Sequence, residues 1–197
     1  MKYPDVSRKL EDYRRQIAEI RERMRETLAT VEPQPVADYE FTNTEGPVRL
    51  SHLFGEHEDL ILIHNMGVAC SYCTLWADGY NGIHPHVLTR AAFAVSSPDR
   101  PAVQKRFSDS RGWRFPMVSH EGTRFAADMG YVSAQGGWTP GVSVFRREGE
   151  AIVRVSNTHF SPGDDFCSLW HFFDLLPGGA GQLQRSVKQP ACCSKAG

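Results

Sequence analysis

Residues 59–80 read DLILIHNMGVACSYCTLWADGY, and the fold turns on how they are divided. Leu60 to Ile63 is apolar at every position, so a strand formed there must be covered on both faces. It runs through Gly67 into Cys70 and Cys73, with two residues between them, and the residues beyond have helical character. A strand, a glycine turn and a helix in that order put Cys70 at or near a helix N-terminus. Free N–H groups and the helix dipole favour a thiolate there. Cys73 then lies one turn later on the same face, where it can attack a mixed disulfide formed at Cys70. Gly79, Gly82 and Pro85 predict that the helix is broken or kinked.

Working outward, the chain divides into three parts: residues 1–35, an N-terminal amphipathic helix and linker; 36–179, one domain; and 180–197, a flexible tail. In the first part Leu10, Tyr13, Ile17, Ile20, Met24 and Val31 recur at helical spacing and form a single stripe, ended by Pro33 and Pro35. So polar a helix needs a partner for that stripe. Either it docks on its own domain or it forms a homodimer with a second copy. In the second part strand-like pieces alternate with helix-like ones. The strands are ADYEFT (37–42), GPVRL (46–50), LILIH (60–64), AAFAVSS (91–97), FPMVS (115–119) and the hairpin GVSVFRREGEAIVRVS (141–156). The helices are DRPAVQKRFSDSRG (99–112), TRFAADMGY (123–131) and DDFCSLWHFFDLL (164–176). That order predicts an α/β fold, a central mixed sheet with helices on both faces and an added N-terminal helix.

Composition narrows the function. With 22 Lys+Arg against 23 Asp+Glu the net charge is −1, which gives no excess of positive charge for a nucleic acid. No apolar run approaches a bilayer span, and the charged N-terminus lacks the apolar core of a secretory peptide, so a cytoplasmic protein without membrane partners is expected. Five cysteines in such a chain do not make a disulfide scaffold, and a close pair in a reducing compartment is more often catalytic or metal-binding. The second clue is WTPGVSVF (138–145). Pro140 stands just before an apolar strand, where an X-Pro bond is either held cis in a tight turn or is an ordinary trans strand start.

The frame DYEFTNTEGPVRLSHLFG, LILIHNMGVACSYC, FPMVSHEGTRFAADMGY and TPGVSVF resembles the thioredoxin-like fold in its peroxiredoxin variant. More narrowly, CSYCTLWADGYNGIHPHV, GWRFPMVS and LWHFFDLLPGG resemble an uncharacterised bacterial family, domain of unknown function 899. The resemblance covers residues 36–179. It implies a thioredoxin fold, Cys70 as nucleophile, Cys73 as resolving thiol, and Pro140 as a cis-proline with Thr139 before it. Two departures matter. Peroxiredoxins carry P-x-x-x-[TS]-x-x-C, but Ile63 and Gly67 stand at those places before Cys70, and Met66 and Cys70 before Cys73. The groups that shape a peroxide pocket are missing, which puts peroxidase activity in doubt. Thioredoxins have Trp ahead of the pair and Gly-Pro within it, where this chain has Ala69 and Ser71-Tyr72.

The expected function is therefore a thiol–disulfide oxidoreductase that needs no cofactor or resident metal. Its partner would be a disulfide-containing protein or a small thiol. Tyr72, Trp76 and Thr139 are the candidates for touching substrate. Two alternatives stand beside it. Cys70 and Cys73 could bind zinc or copper with His84 and His86, although His84 lies eleven residues of straight helix beyond Cys73, about 16 Å. The domain could also be a redox-inactive interaction module. Around the pair, His64 either adjusts Cys70 or makes an ordinary hydrogen bond, and Asp78 either accepts a proton or is solvated. Cys167 reads as an inert buried thiol. Cys192 and Cys193 read as a tail without function or as an electron relay.

Overall fold

The computed structural model describes residues 2–181 and 183. Strand β4 (Asp59–His64) supplies both faces of its core. Leu60 and Leu62 pack with Phe41, Leu50, Phe54, Phe125 and Phe145 on one side. Ile61 and Ile63 pack with Trp76, Ala77, Tyr80, Phe93 and Trp170 on the other. Such a strand belongs in the interior of a sheet, and β4 is hydrogen-bonded along both edges. It runs antiparallel to β7 (Gly141–Glu148) and parallel to β5 (Ala92–Ser97). Parallel neighbours need a crossover, and α2 (Ser71–Val87) provides it. A second crossover, α3 (Pro101–Arg111), carries the chain to β6 (Met117–Ser119), parallel to β5.

Antiparallel pieces complete both edges. The hairpin of β2 (Glu40–Asn43) and β3 (Gly46–Arg49) extends the sheet beyond β6; β8 (Ala151–His159) and then β1 (Gln34–Val36) extend it beyond β7. The described strands form one mixed sheet in the order β1-β8-β7-β4-β5-β6-β2-β3. The short helix α4 (Phe125–Asp128) closes the Leu60 face, while α2 and α5 (Ser168–Phe173) cover the Ile61 face. This is the expected α/β architecture.

Three elements differ from the sequence reading. Helix α2 runs unbroken to Val87 with Pro85 inside it. The proline removes one intrahelical donor, but Trp76, Ala77, Tyr80 and His84 are buried along one face, and the Asn81 side chain bridges to Gly112 and Arg114. Helix α5 has six residues instead of the expected longer run, with Trp170 its buried residue. Gln34 and Pro35, expected as linker, pair with β8 together with Val36. A three-residue strand holding Pro35 gives almost no periodic signal, and a proline is tolerated there because β1 is an edge.

Residues 1–33 form a separate compact unit from 34–197. Helix α1 (Tyr3–Leu28) buries no residue, and its stripe is open: Leu10 is 44% exposed and Met24 64%. Arg15 pairs with Asp12 and Arg25 with Glu22 along its polar side.

Two sites test these contacts. A Cβ on Gly141 would lie 2.4 Å from the Thr158 carbonyl and 2.4 Å from the Tyr131 ring, whose hydroxyl donates to the Val142 carbonyl at 2.6 Å. Gly141→Ala is expected to destabilise by about 1–3 kcal/mol. Gly79→Ala, into open space on α2, should stabilise by about 0.5–1 kcal/mol. Urea midpoints of the two variants should shift in opposite directions. Asp59, at the start of β4, accepts from Arg146 Nε at 2.8 Å and Arg90 Nη1 at 2.7 Å. The Arg146 hydrogen bond, chiefly, holds its carboxyl below the usual range against the opposing effect of burial. A carboxylate lowered in the folded state contributes stability above its unfolded value, about pH 4, and loses it as pH falls through the folded value. Asp59→Asn should cost about 1–3 kcal/mol at pH 7, with the deficit shrinking below pH 4 in denaturation curves.

Candidate active site

Residues 65–69 join β4 to α2, and their backbone is pinned at several points. Asn65 N–H donates to the Ser96 carbonyl at 2.9 Å, carrying the β4–β5 pairing one residue further. The Asn65 side chain accepts Gly67 N–H at 2.8 Å. Gly67 has φ = 105°, a conformation open to glycine, and a Cβ there would sit 2.9 Å from Asp99 Oδ2. The same oxygen accepts Val68 N–H at 2.8 Å and the Ser97 hydroxyl at 3.2 Å. Asp99 thus braces the loop from the end of β5, and Cys70 N–H closes it onto the Gly67 carbonyl at 3.0 Å.

Cys70 is the N-cap of α2. Its backbone is extended, and its sulfur accepts Cys73 N–H at 3.1 Å, filling the role that Ser or Asp usually plays. Neither cysteine is in a disulfide, and the two are unequally buried. Cys70 is half-buried and Cys73 is 3% exposed. Hydrogen bonding to Cys70 is the largest cause pushing the Cys73 thiol far up, and burial adds to it. Met66 N–H, 3.4 Å from Cys73 Sγ, acts in the other direction. In this arrangement Cys73 keeps its proton.

Around the pair, Tyr72 is half-buried, with its ring 6.0 Å from Trp76 and 6.2 Å from Trp170. It lines a cleft of about 530 Å³ together with Pro162, Gly163, Trp170, Asp174 and Leu183. Trp76, expected to touch substrate, is instead 3% exposed, and its indole N–H donates to Asp164 at 3.2 Å. Its size and position make it core. Pro140 is not a cis-proline: all described peptide bonds are trans. Thr139 N–H donates to the Tyr131 carbonyl at 3.0 Å and the Pro140 carbonyl accepts Phe160 N–H at 2.9 Å, which fixes an extended entry into β7. Gly141 pairs with His64, so Thr139 and Pro140 stand at the sheet end where β4 leads to the cysteines. Thr139 Oγ1 is buried without a hydrogen-bond partner among the described residues.

The remaining candidates are absorbed by packing. His64 bonds the Ser143 hydroxyl at 2.9 Å and stacks on Tyr131 at 3.6 Å; burial pushes its pKa well down, so the ring is neutral. Asp78 is held by Arg111 and by the Trp113 indole at 2.9 Å, tying α2 to the end of α3. His84 is buried against Phe93 and Phe115 while His86 is exposed. Continuous α2 leaves both far along the helix from Cys73. Among the described residues no group of three or more His, Cys, Asp or Glu is placed to hold a metal ion. Cys167 is buried among aromatics, and burial raises its pKa. Cys192 and Cys193 lie outside the described residues.

Sequence reasoning missed two residues. Asp99 is one; a Ser-Ser-Pro-Asp turn after a strand was its only signal. His120 follows β6 at the same sheet end as His64. It is 3% exposed, neither ring nitrogen has a partner among the described residues, and its edge meets Trp138 at 5.0 Å. Burial pushes its pKa down to about 4.

With this geometry in view, the family described as "Bacterial protein of unknown function (DUF899)" matches residues 8–191. The chain belongs to this family. Solved structures place the DUF899 chain in the thioredoxin-like, peroxiredoxin-type fold. Reduced Prx3 from Vibrio vulnificus superposes with TM-score 0.54 at 14% identity, covering 68% of this chain and 89% of that one. Peroxidoxin BcpB from Mycobacterium tuberculosis gives 0.52 at 20% identity, covering 69% and 88%. A mutant of PrxQ from Xylella fastidiosa gives 0.55 at 13% identity, covering 64% and 84%. No curated protein matches the chain.

The brace on the loop makes a prediction. Gly67→Ala forces a side chain into positive φ and against Asp99, so it should destabilise by about 1–3 kcal/mol. It should also slow iodoacetamide labelling of Cys70 at pH 7, read by mass mapping; unchanged labelling would mean that the loop does not position the sulfur.

Proposed function

We propose that this DUF899 protein is a thiol–disulfide oxidoreductase working through Cys70 and Cys73. The observation that carries the reading is the inequality of the two sulfurs: a half-buried Cys70 capped by an N–H at a helix end, and a buried Cys73 that keeps its proton. A Cys70 thiolate attacks one sulfur of a substrate disulfide, and the other sulfur leaves as a thiolate. Once Cys70 is bonded to substrate it no longer carries charge, and the main cause that raised Cys73 is gone. Met66 N–H still favours a Cys73 thiolate. Cys73 then loses its proton to solvent or the departing thiolate and attacks Cys70 Sγ. The second substrate sulfur leaves, and the Cys70–Cys73 disulfide closes. The substrate gains two electrons and the pair loses two. The resolving thiol is thus silent before capture and competent after it.

The chemistry needs sulfur alone, and the proposed partner is a protein disulfide or a small disulfide such as that of glutathione. Tyr72 and Thr139 are the substrate-facing residues in this reading, with Pro140 shaping the same end of the sheet. Peroxide is not the proposed oxidant, because Ile63 lies in the core and Gly67 in the loop where the peroxiredoxin pattern needs proline and a hydroxyl. Among the described residues no helix is long and apolar enough to cross a membrane. A reducing compartment such as the cytoplasm suits free thiols. A homodimer through the open stripe of α1 belongs to the same proposal.

Trapping separates the roles. Cys73→Ser should accumulate a Cys70–glutathione adduct when incubated with glutathione disulfide, and Cys70→Ser should accumulate none at Cys73. Mass spectrometry of quenched peptides reads both. The proposal falls if Cys73→Ser shows no adduct at Cys70, or if labelling is the same at both positions.

A further inference from the structure

Gln104 is 2% exposed on α3, and its amide is turned so that the nitrogen, not the oxygen, meets the sheet. Nε2 donates to the Ser97 hydroxyl at 2.8 Å and to the Val118 carbonyl at 2.9 Å, bridging β5 and β6. Its Oε1 has no hydrogen-bond partner among the described residues. We propose that Gln104 is a positioning residue for the cysteine pair, acting from α3 through Ser97 and Asp99 on the loop that leads to Cys70. The inference rests on the oxidoreductase reading above and adds to it a residue of another helix that sets the reactivity of the pair.

Three observations carry it. The first is direction. A hydroxyl has one proton to donate and two lone pairs to accept with. Ser97 Oγ receives Gln104 Nε2–H at 2.8 Å and Asp99 N–H at 3.4 Å, which leaves its proton for Asp99 Oδ2 at 3.2 Å. The second is continuity. Asp99 Oδ2 also accepts Val68 N–H at 2.8 Å. The same loop carries Met66 N–H, 3.4 Å from Cys73 Sγ, and the Gly67 carbonyl that accepts Cys70 N–H at 3.0 Å. An unbroken run of hydrogen bonds thus leads from α3 to the cysteine turn. The third is the unpartnered oxygen. A buried amide oxygen left without a donor destabilises the fold, so packing alone would be served better by an apolar side chain of the same size. What Gln104 supplies against that is a pair of donors, and one of them orients Ser97.

The consequence reaches the sulfur through geometry. With Gln104 in place, Ser97 donates to Asp99 Oδ2, that oxygen holds Val68 N–H, and the turn brings Cys73 N–H to within 3.1 Å of Cys70 Sγ. Without the Gln104 donor the Ser97 hydroxyl is released to rotate toward other acceptors. Asp99 Oδ2 then loses one of the two donors that fix it, and the loop gains freedom. A thiolate is favoured only while N–H groups of the helix end face it. Reactivity of Cys70 near neutral pH therefore falls, while its access to solvent stays as it was.

The test uses the full chain as Gln104→Met, Ser97→Ala and the double variant, with Lys105→Met on the exposed side of α3 as control. Iodoacetamide labelling of Cys70 is followed by mass mapping from pH 5 to pH 10. The expected result is a profile displaced to higher pH, with labelling at pH 7 slowed at least about threefold in both single variants and equal to the parent's at pH 10. The double variant should match the slower single one, because both act along one path. Lys105→Met should label as the parent does. Ser97→Ala decides alone if Gln104→Met does not fold. Profiles that superimpose on the parent's overturn the inference, as does a double variant in which the two effects multiply, or a control that shifts equally. Cys73→Ser incubated with glutathione disulfide tells the two readings apart. A Cys70–glutathione adduct beside unmoved labelling profiles overturns the inference and leaves the oxidoreductase reading standing. Displaced profiles without any adduct remove that reading and leave Gln104 as the residue that positions the Cys70 sulfur.

Discussion

A strand apolar on both faces survives in the middle of a sheet that is itself covered on both sides, and β4 imposes that condition on everything around it. Its parallel pairing with β5 calls for a crossover, and the crossover is α2. Its antiparallel pairing with β7 brings Gly141 opposite His64 and the Thr139–Pro140 entry to the same sheet end. The first turn of α2 therefore follows the sheet end where β4, β5, β6 and β8 finish and β7 begins. Cysteines placed on that turn inherit a fixed address, next to a loop whose donors and acceptors are already committed by Asn65 and Asp99.

The chemistry follows from small differences in surroundings. Cys70 takes the place of a capping side chain and so meets N–H groups. Cys73, three residues later, faces the interior and meets Met66 and the Cys70 sulfur. Identical side chains are given different surroundings by one turn of helix, one half-buried at the cap and one buried with its pKa raised. Tyr72, between the two cysteines in sequence, packs with Trp76 and Trp170 and lines a cleft with Trp170 and Asp174. On the proposed reading the pair combines a nucleophile and a delayed resolver within one short stretch of structure.

Much of this was legible in the sequence wherever a local pattern carried the information. The apolar run of β4, the alternation in the β7–β8 hairpin, Pro101 opening α3 and Gly112 ending it all announce their elements. The strand–turn–helix order placed Cys70 at a helix start. What stayed hidden depends on contacts distant in sequence. Asp99 reaches back across 31 positions to Val68. Residues 34–36 become a strand because β8, far along the chain, offers an edge. The two isomers of an X-Pro bond differ by only about 0.5–1 kcal/mol, so Pro140 is decided by the hydrogen bonds of its neighbours, which no motif displays. Trp76 looked available because nothing in its helix shows that Asp164 and Phe160 close over it. Pro85 suggested a broken helix because propensity says nothing of the buried face that holds α2 together.

The spacing of the two cysteines has one more consequence. A covalent link between residues so near in the chain closes a very small loop, and by chain-entropy reasoning it removes only about 2 kcal/mol of freedom from the unfolded state. Bridges that span long segments act as staples, and breaking them threatens the whole domain. In the proposed cycle a Cys70–Cys73 bond opens and closes while the aromatic packing on both sides of the sheet holds the architecture. On that proposal the pair changes oxidation state while the folding equilibrium barely moves.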